Sequence, residues 1–170
     1  MAHQARTLSA PPERDDRSYD VFLNFRGPDS RHTVADVLYN ALSDAGFSVF
    51  LDDEEIRKGE EIKGELESAI MNSKIYIPIF SKDYASSRWC LRELAKMMEC
   101  CKSSNSKTKK VMLPVFYDVD VSKDVKLRSK VDSTALQVHG DLVSKAEMQS
   151  WKAALKEAAK IKGWSLEDHG

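Results

Sequence analysis

The run IYIPIF, SKDYASSR, WCLRELAKMMECC fills residues 75–101 and changes character twice. Its first six residues are apolar and β-rich, the pattern of a strand buried on both faces. The middle piece is polar and holds Ser86 and Ser87, either of which could cap a helix by accepting a backbone N–H. The last piece has a helical period, with Leu91, Leu94, Ala95, Met98 and Cys101 on one stripe. A strand that passes through a loop into a helix puts that loop at the strand's carboxyl end, where open α/β sheets bind ligands. Glu93 stands in the first turns of this helix, one turn after Trp89 and off the main stripe. A carboxylate beside a large aromatic near a helix start is placed to be partly desolvated and chemically useful. On periodicity alone the plainer account is a surface glutamate favoured by the helix dipole.

Outward from this run, strands and helices alternate. YDVFLNF (19–25) is a first strand, stopped by Gly27 and Pro28. Asp29 and Ser30 are candidate caps for a helix with the stripe Val34, Val37, Leu38, Ala41 and Leu42, closing at Gly46. FSVFL (47–51) is a second strand. The charged stretch 52–62 reads as a surface loop, and residues 65–73 as a helix. VMLPVFY (111–117) is a fourth strand, after the polar, basic loop 102–110. A helix of irregular amphipathicity is expected over 125–137, a short fifth strand near 140–143, and a last helix over 145–160. That last helix turns Met148, Trp151, Ala154, Leu155, Ala158 and Ala159 inward, with Trp164 as a candidate core anchor beyond it. Repeated β–α alternation gives an α/β fold of the flavodoxin-like, doubly wound kind. Its parallel sheet has four to five strands, with helices on both faces. Residues 1–18 are polar and hold two adjacent prolines, the mark of a flexible leader. The domain is expected over 19–164, with a tail over 165–170.

Composition narrows the function classes. The 170 residues are 42% hydrophobic and 31% charged, with a net charge of −1, so no global field draws the chain to nucleic acid or to an anionic membrane. No apolar run approaches the roughly 20 residues of a spanning helix. The three cysteines, Cys90, Cys100 and Cys101, crowd one predicted helix and have no plausible disulfide partners, which fits a reduced, intracellular protein. The four histidines are scattered and support no metal site. The acids at 52–55 are the pattern of a solvated face rather than of a cation site. Phosphate-loop, dinucleotide and nucleophile-elbow motifs are absent. Cys90 has no histidine paired with it locally and reads as a small hydrophobe. Arg26 and Arg31, beside Gly27 at the end of the first strand, could pair with phosphates, or with Asp29 and nearby acids.

Taken together, YDVFLNFRGPDSRHT, FLDDEEIRKGEEI, SKDYASSRWCLREL, VMLPVFYDVD and WKAALKEAAKIKGW resemble, in order, the landmarks of plant Toll/interleukin-1 receptor (TIR) domains. Such domains usually stand at the N-terminus of intracellular nucleotide-binding, leucine-rich-repeat disease resistance proteins. The resemblance implies an NAD+ nucleosidase of plant innate immune signalling, cytoplasmic or also nuclear. It would use NAD+ or NADP+ as a substrate, with no bound cofactor and no metal, and release nicotinamide with ADP-ribose or cyclic variants. It places Glu93 as the catalytic carboxylate, with Arg26, Gly27, Arg31, Ser87 and Trp89 binding the dinucleotide. It also implies homo-oligomers and contacts with other TIR domains. Ser30 and His32 would lie on one self-association surface, and Lys162, Gly163 and Trp164 on another. The alternative is a non-catalytic TIR–TIR adaptor. The chain departs from the family pattern at Asn24, where serine is usual, at Ser30, where threonine is usual, and at Val121, which stands at a proline position.

Overall fold

The computed structural model describes residues 18–51, 63–105, 107–117 and 136–166. The chain forms a six-stranded sheet in which every pairing is parallel, in the order β2-β1-β3-β5-β6, with β4 also on β3. The strands are β1 (Tyr19–Asn24), β2 (Val49–Leu51), β3 (Ser73–Phe80), β4 (Val111–Met112), β5 (Val115–Tyr117) and β6 (Trp164–Leu166). The helices are α1 (Gly27–Ser30), α2 (Asp36–Asp44), α3 (Lys63–Met71), α4 (Arg88–Ser103) and α5 (Lys145–Ala158). From β1 the chain goes to β2 on one side, then crosses to β3 on the other. The carboxyl ends of β1 and β3 therefore flank the switch point where such sheets bind ligands.

Side chains alternate across β1 and sort into two cores. Val21 and Leu23 join Val34, Ala35, Ile77, Ile79 and Val115 beneath the α1–α2 segment. Phe22 joins Tyr76, Leu91, Leu94, Met97 and Trp151 beneath α3, α4 and α5, stacking on Phe50 with ring centroids 5.3 Å apart. Both faces of β1 are thus covered, which is why YDVFLN is almost continuously apolar.

Four local expectations change. The segment α1–α2 contains a π-helical turn, Arg31–Ala35. The wider turn shifts the phase of the helix. Ala35, Leu38 and Leu42 pack inward, whereas Val37 is 66% exposed. Neither Asp29 nor Ser30 makes a side-chain cap: Arg26 stands at the N-cap of α1, and Ser30, at the N-cap of the π turn, makes no side-chain capping bond. The stretch 111–117 divides into β4 and β5 because prolines interrupt both sides of the ladder. Pro114 separates the two pieces, and Pro78 faces them from β3; neither has an N–H to donate. Residues 140–143 are turn rather than strand. The added strand is β6, whose Trp164, Ser165 and Leu166 pair with Val115, Phe116 and Tyr117. It continues two residues past Trp164, into the stretch expected as a tail. The expected leader up to residue 17, the charged loop 52–62 and most of the irregular helix over 125–137 lie outside the described residues. Among the described residues no helix is long and apolar enough to cross a membrane.

Candidate active site

Asn24 is the last residue of β1 and lies on the face that packs against α4. It is fully buried, and a buried amide needs partners for both its donor and its acceptor. Its Nδ2 donates to Glu93 Oε2 at 2.6 Å and approaches the Cys90 carbonyl at 3.4 Å. Its Oδ1 accepts a short hydrogen bond from the Tyr84 hydroxyl, which also lies 3.2 Å from the Cys90 carbonyl. Burial pushes the Tyr84 phenol well above its usual range, and the Cys90 thiol and Glu93 carboxylate beside it push the same way. The phenol therefore stays neutral and keeps the proton it must donate.

The loop after β3 delivers Tyr84 and leads into α4, which carries Cys90 and Glu93. Ser87, rather than Ser86, caps α4: its hydroxyl accepts from the Cys90 N–H at 3.2 Å. Ser86 donates instead to the Asp83 carbonyl at 2.6 Å. The preceding short turn, Tyr84–Ser86, is braced from behind by His139. The His139 Nε2 lies 3.2 Å from the Ala85 carbonyl, and its ring meets Trp151 edge-on. Glu93 itself is only 3% exposed and shares the inner side of α4 with Cys90, Leu91, Leu94 and Met97. The stripe expected from Leu91, Leu94, Ala95 and Met98 is therefore wider than periodicity implied, and it includes the carboxylate.

A cleft of about 550 Å³ runs along α4 between α3 and α5. Its wall includes Leu66, Ile70, Trp89, Glu93, Trp151 and Ala154, so Glu93 and Trp89 come together there as expected. The volume lies within the range of small-molecule sites. Two ion pairs between α4 and α5 frame it, Arg92 Nε to Glu147 Oε1 and Lys102 Nζ to Glu157 Oε1, each at 2.8 Å.

The residues expected to bind phosphate are arranged differently. Arg26 pairs with Asp29, whose other oxygen accepts from Ser81 Oγ at 2.6 Å and from the Asp83 N–H at 3.3 Å. This acid ties the loop after β1 to the loop after β3. Arg31 lies partly buried in the π turn. At Gly27 an added Cβ would meet nothing within 4 Å, so packing there does not demand glycine. None of Arg26, Gly27, Arg31 and Ser87 lines the cleft beside Trp89. Ser30 is buried, with its hydroxyl donating to the Arg26 carbonyl at 3.2 Å, whereas His32 is exposed beside Asp36. The two do not form one exposed patch.

At the far edge, Lys162 is exposed and Trp164 is 57% exposed, so Trp164 is not the core anchor its size suggested. Gly163 is set by packing: a Cβ there would stand 2.1 Å from the Pro114 carbonyl oxygen. That same oxygen accepts from the Trp164 N–H at 3.0 Å.

Two members of the buried group, Asn24 and Tyr84, were not singled out from sequence as site residues. The signal for Asn24 is present nonetheless: it is a polar side chain at the end of a strand whose apolar run calls for burial on both faces.

A profile of the TIR domain matches residues 18–169. The TMV resistance protein N of Nicotiana glutinosa is 43% identical over 148 residues, which is 86% of this chain and 12% of that protein. The probable 2′ cyclic ADP-D-ribose synthase BdTIR of Brachypodium distachyon is 36% identical over 82% of this chain and 56% of its own length. Among solved structures, the TIR domains of the activated Roq1 resistosome align with a TM-score of 0.72 at 38% identity, covering 88% of each chain. The chain thus spans only a small part of the disease resistance protein and about half of the synthase. The match over residues 18–169 and these similarities show the family: the chain belongs to the TIR domain family.

Proposed function

We propose that this domain cleaves NAD+ at the nicotinamide–ribose bond when self-associated, as a signalling enzyme of plant defence. The observation that carries the reading is a glutamate almost wholly withdrawn from water, held by an amide, in the wall of a cleft it shares with Trp89. The bond breaks through an oxocarbenium-like transition state. Nicotinamide leaves as a neutral molecule from a cationic ring, so no general acid is required. A carboxylate in a low-dielectric setting stabilises the positive charge growing on the ribose far more than it would in water. Trp89 offers a face for one ring of the dinucleotide. The Brachypodium relative, named a probable 2′ cyclic ADP-D-ribose synthase, supports the same chemistry. NADP+ would meet the same carboxylate, and the products would be nicotinamide with ADP-ribose or a cyclised form.

The test is chromatographic. Wild type at high protein concentration should release nicotinamide from NAD+ at a rate that rises steeply with concentration. Glu93→Ala should lose about 100-fold or more of that rate while remaining folded. Equal turnover by the two proteins removes Glu93 from the chemistry. A second reading, a TIR–TIR adaptor without turnover, is favoured by the exposed Trp164 at an open sheet edge. It is chosen if forced oligomers release no nicotinamide.

A further inference from the structure

The contacts behind Glu93 have a direction. An asparagine amide has one accepting and one donating end, and the two are nearly isosteric. Flipped, Asn24 would aim its oxygen at the Glu93 carboxylate. The contacts oppose this: a flipped amide would leave the Tyr84 proton only the more distant Cys90 carbonyl, at 3.2 Å, and would set two accepting oxygens against each other at Glu93. Tyr84 thus fixes the amide, and the amide fixes Glu93 Oε2 at 2.6 Å. The three residues come from the end of β1, the turn Tyr84–Ser86 and α4, so the chain of contacts crosses the switch point. The Tyr84 ring is held separately, edge-on to Phe80 at 4.8 Å, and does not need its hydroxyl to stay in place.

We propose that Asn24 and Tyr84 are positioning residues for the reaction: Tyr84 orients the Asn24 amide, and that amide holds the Glu93 carboxylate in the one orientation from which it faces the ribose. The proposal rests on the NAD+-cleaving reading and adds two residues that act through Glu93 rather than on the substrate. It also gives this chain's asparagine a task that a shorter side chain would not perform in the same way.

The experiment joins kinetics to a signal that does not depend on turnover. Wild type, Tyr84→Phe and Asn24→Asp are assayed for nicotinamide release over a range of NAD+ concentrations. Asn24→Asp keeps the acceptor for Tyr84 but replaces the donor to Glu93 with a second carboxylate. In ¹⁵N-labelled protein, the side-chain amide resonances of Asn24 are followed in wild type, Tyr84→Phe and Glu93→Gln. Tyr84→Phe should lower kcat about 10-fold with KM changed by no more than about twofold, and Asn24→Asp should lower kcat further. The Asn24 amide signals should move in both Tyr84→Phe and Glu93→Gln. If those signals are unchanged in Tyr84→Phe, or if they move and kcat does not, the proposal is overturned. A Glu93→Ala protein as active as wild type, or an inert wild type even in forced oligomers, sinks the NAD+-cleaving reading instead. Such a result takes away the catalytic meaning of the relay and leaves the amide contacts to be judged on the resonances alone.

Discussion

The polar group beneath α4 and the β6 edge are built on opposite terms. Asn24, Tyr84 and Glu93 are buried, and each is held by a hydrogen bond to another. Trp164 and Leu166 belong to a three-residue strand whose side chains are all exposed, held by backbone bonds and by one close approach at Gly163. In the first region chemistry is constrained by fold energy. In the second the fold ends with apolar surface to spare. A change in the first should therefore be felt in stability and turnover together, and one in the second in only one of the two.

The contrast is strained most by Asn24→Leu. Leucine has nearly the right volume but offers no donor, so Glu93 would lose the amide that compensates its burial. The expected cost is about 3 kcal/mol, because removing one partner from a buried charged hydrogen bond leaves the desolvation of the other uncompensated. The double variant Asn24→Leu, Glu93→Leu should recover much of that loss, since replacing both partners with apolar groups is far milder than replacing one. Urea melts of the four proteins measure the cycle. A double variant no more stable than Asn24→Leu alone would mean that the asparagine matters by its shape rather than by its bond to the carboxylate.

What the sequence disclosed follows the same division. β1 and β3 were legible because both are buried on two faces and announce themselves as apolar runs. A serine cap, at Ser86 or Ser87, and α4 were legible because a hydroxyl before a periodic segment has one common use, and the structure selects Ser87. The inward turn of Glu93 was not, because periodicity sends a carboxylate to water unless a partner is known, and its partner lies 69 residues earlier. β6 was not, because a strand of three exposed residues exists only through its register with Val115–Tyr117. The displaced stripe of α2 was not, because the π turn that shifts its phase leaves no mark in the pattern of apolar residues. Gly163 and Trp164 were singled out as association residues, and the structure divides them: the glycine belongs to the fold, and the tryptophan faces solvent.

Gly163→Ala tests the fold half of that division. The added methyl would sit 2.1 Å from the Pro114 oxygen, a contact that forces β6 away from β5. Overpacking against backbone, which cannot rotate aside, is expected to cost about 2 kcal/mol. For a chain of this size that lowers the melting temperature by roughly 4–8 °C. A variant that melts with wild type would mean that β6 shifts at no cost, and would make the edge softer than its hydrogen bonds suggest.

Trp164→Ala should have the smallest effect on stability and the clearest effect on association. More than half of the side chain already lies in water, so truncation should change stability by no more than about 0.5 kcal/mol. Yet a large aromatic beside the exposed Leu166, on the strand that ends the sheet among the described residues, is the kind of surface that a second domain covers. Sedimentation across a concentration series should show weaker self-association in the variant at unchanged melting temperature, and nicotinamide release should fall in proportion to the assembled fraction. If association is lost while release per monomer persists at low concentration, the cleft works without a neighbour. The buried carboxylate and the open edge would then be independent features of one sheet rather than two halves of one mechanism.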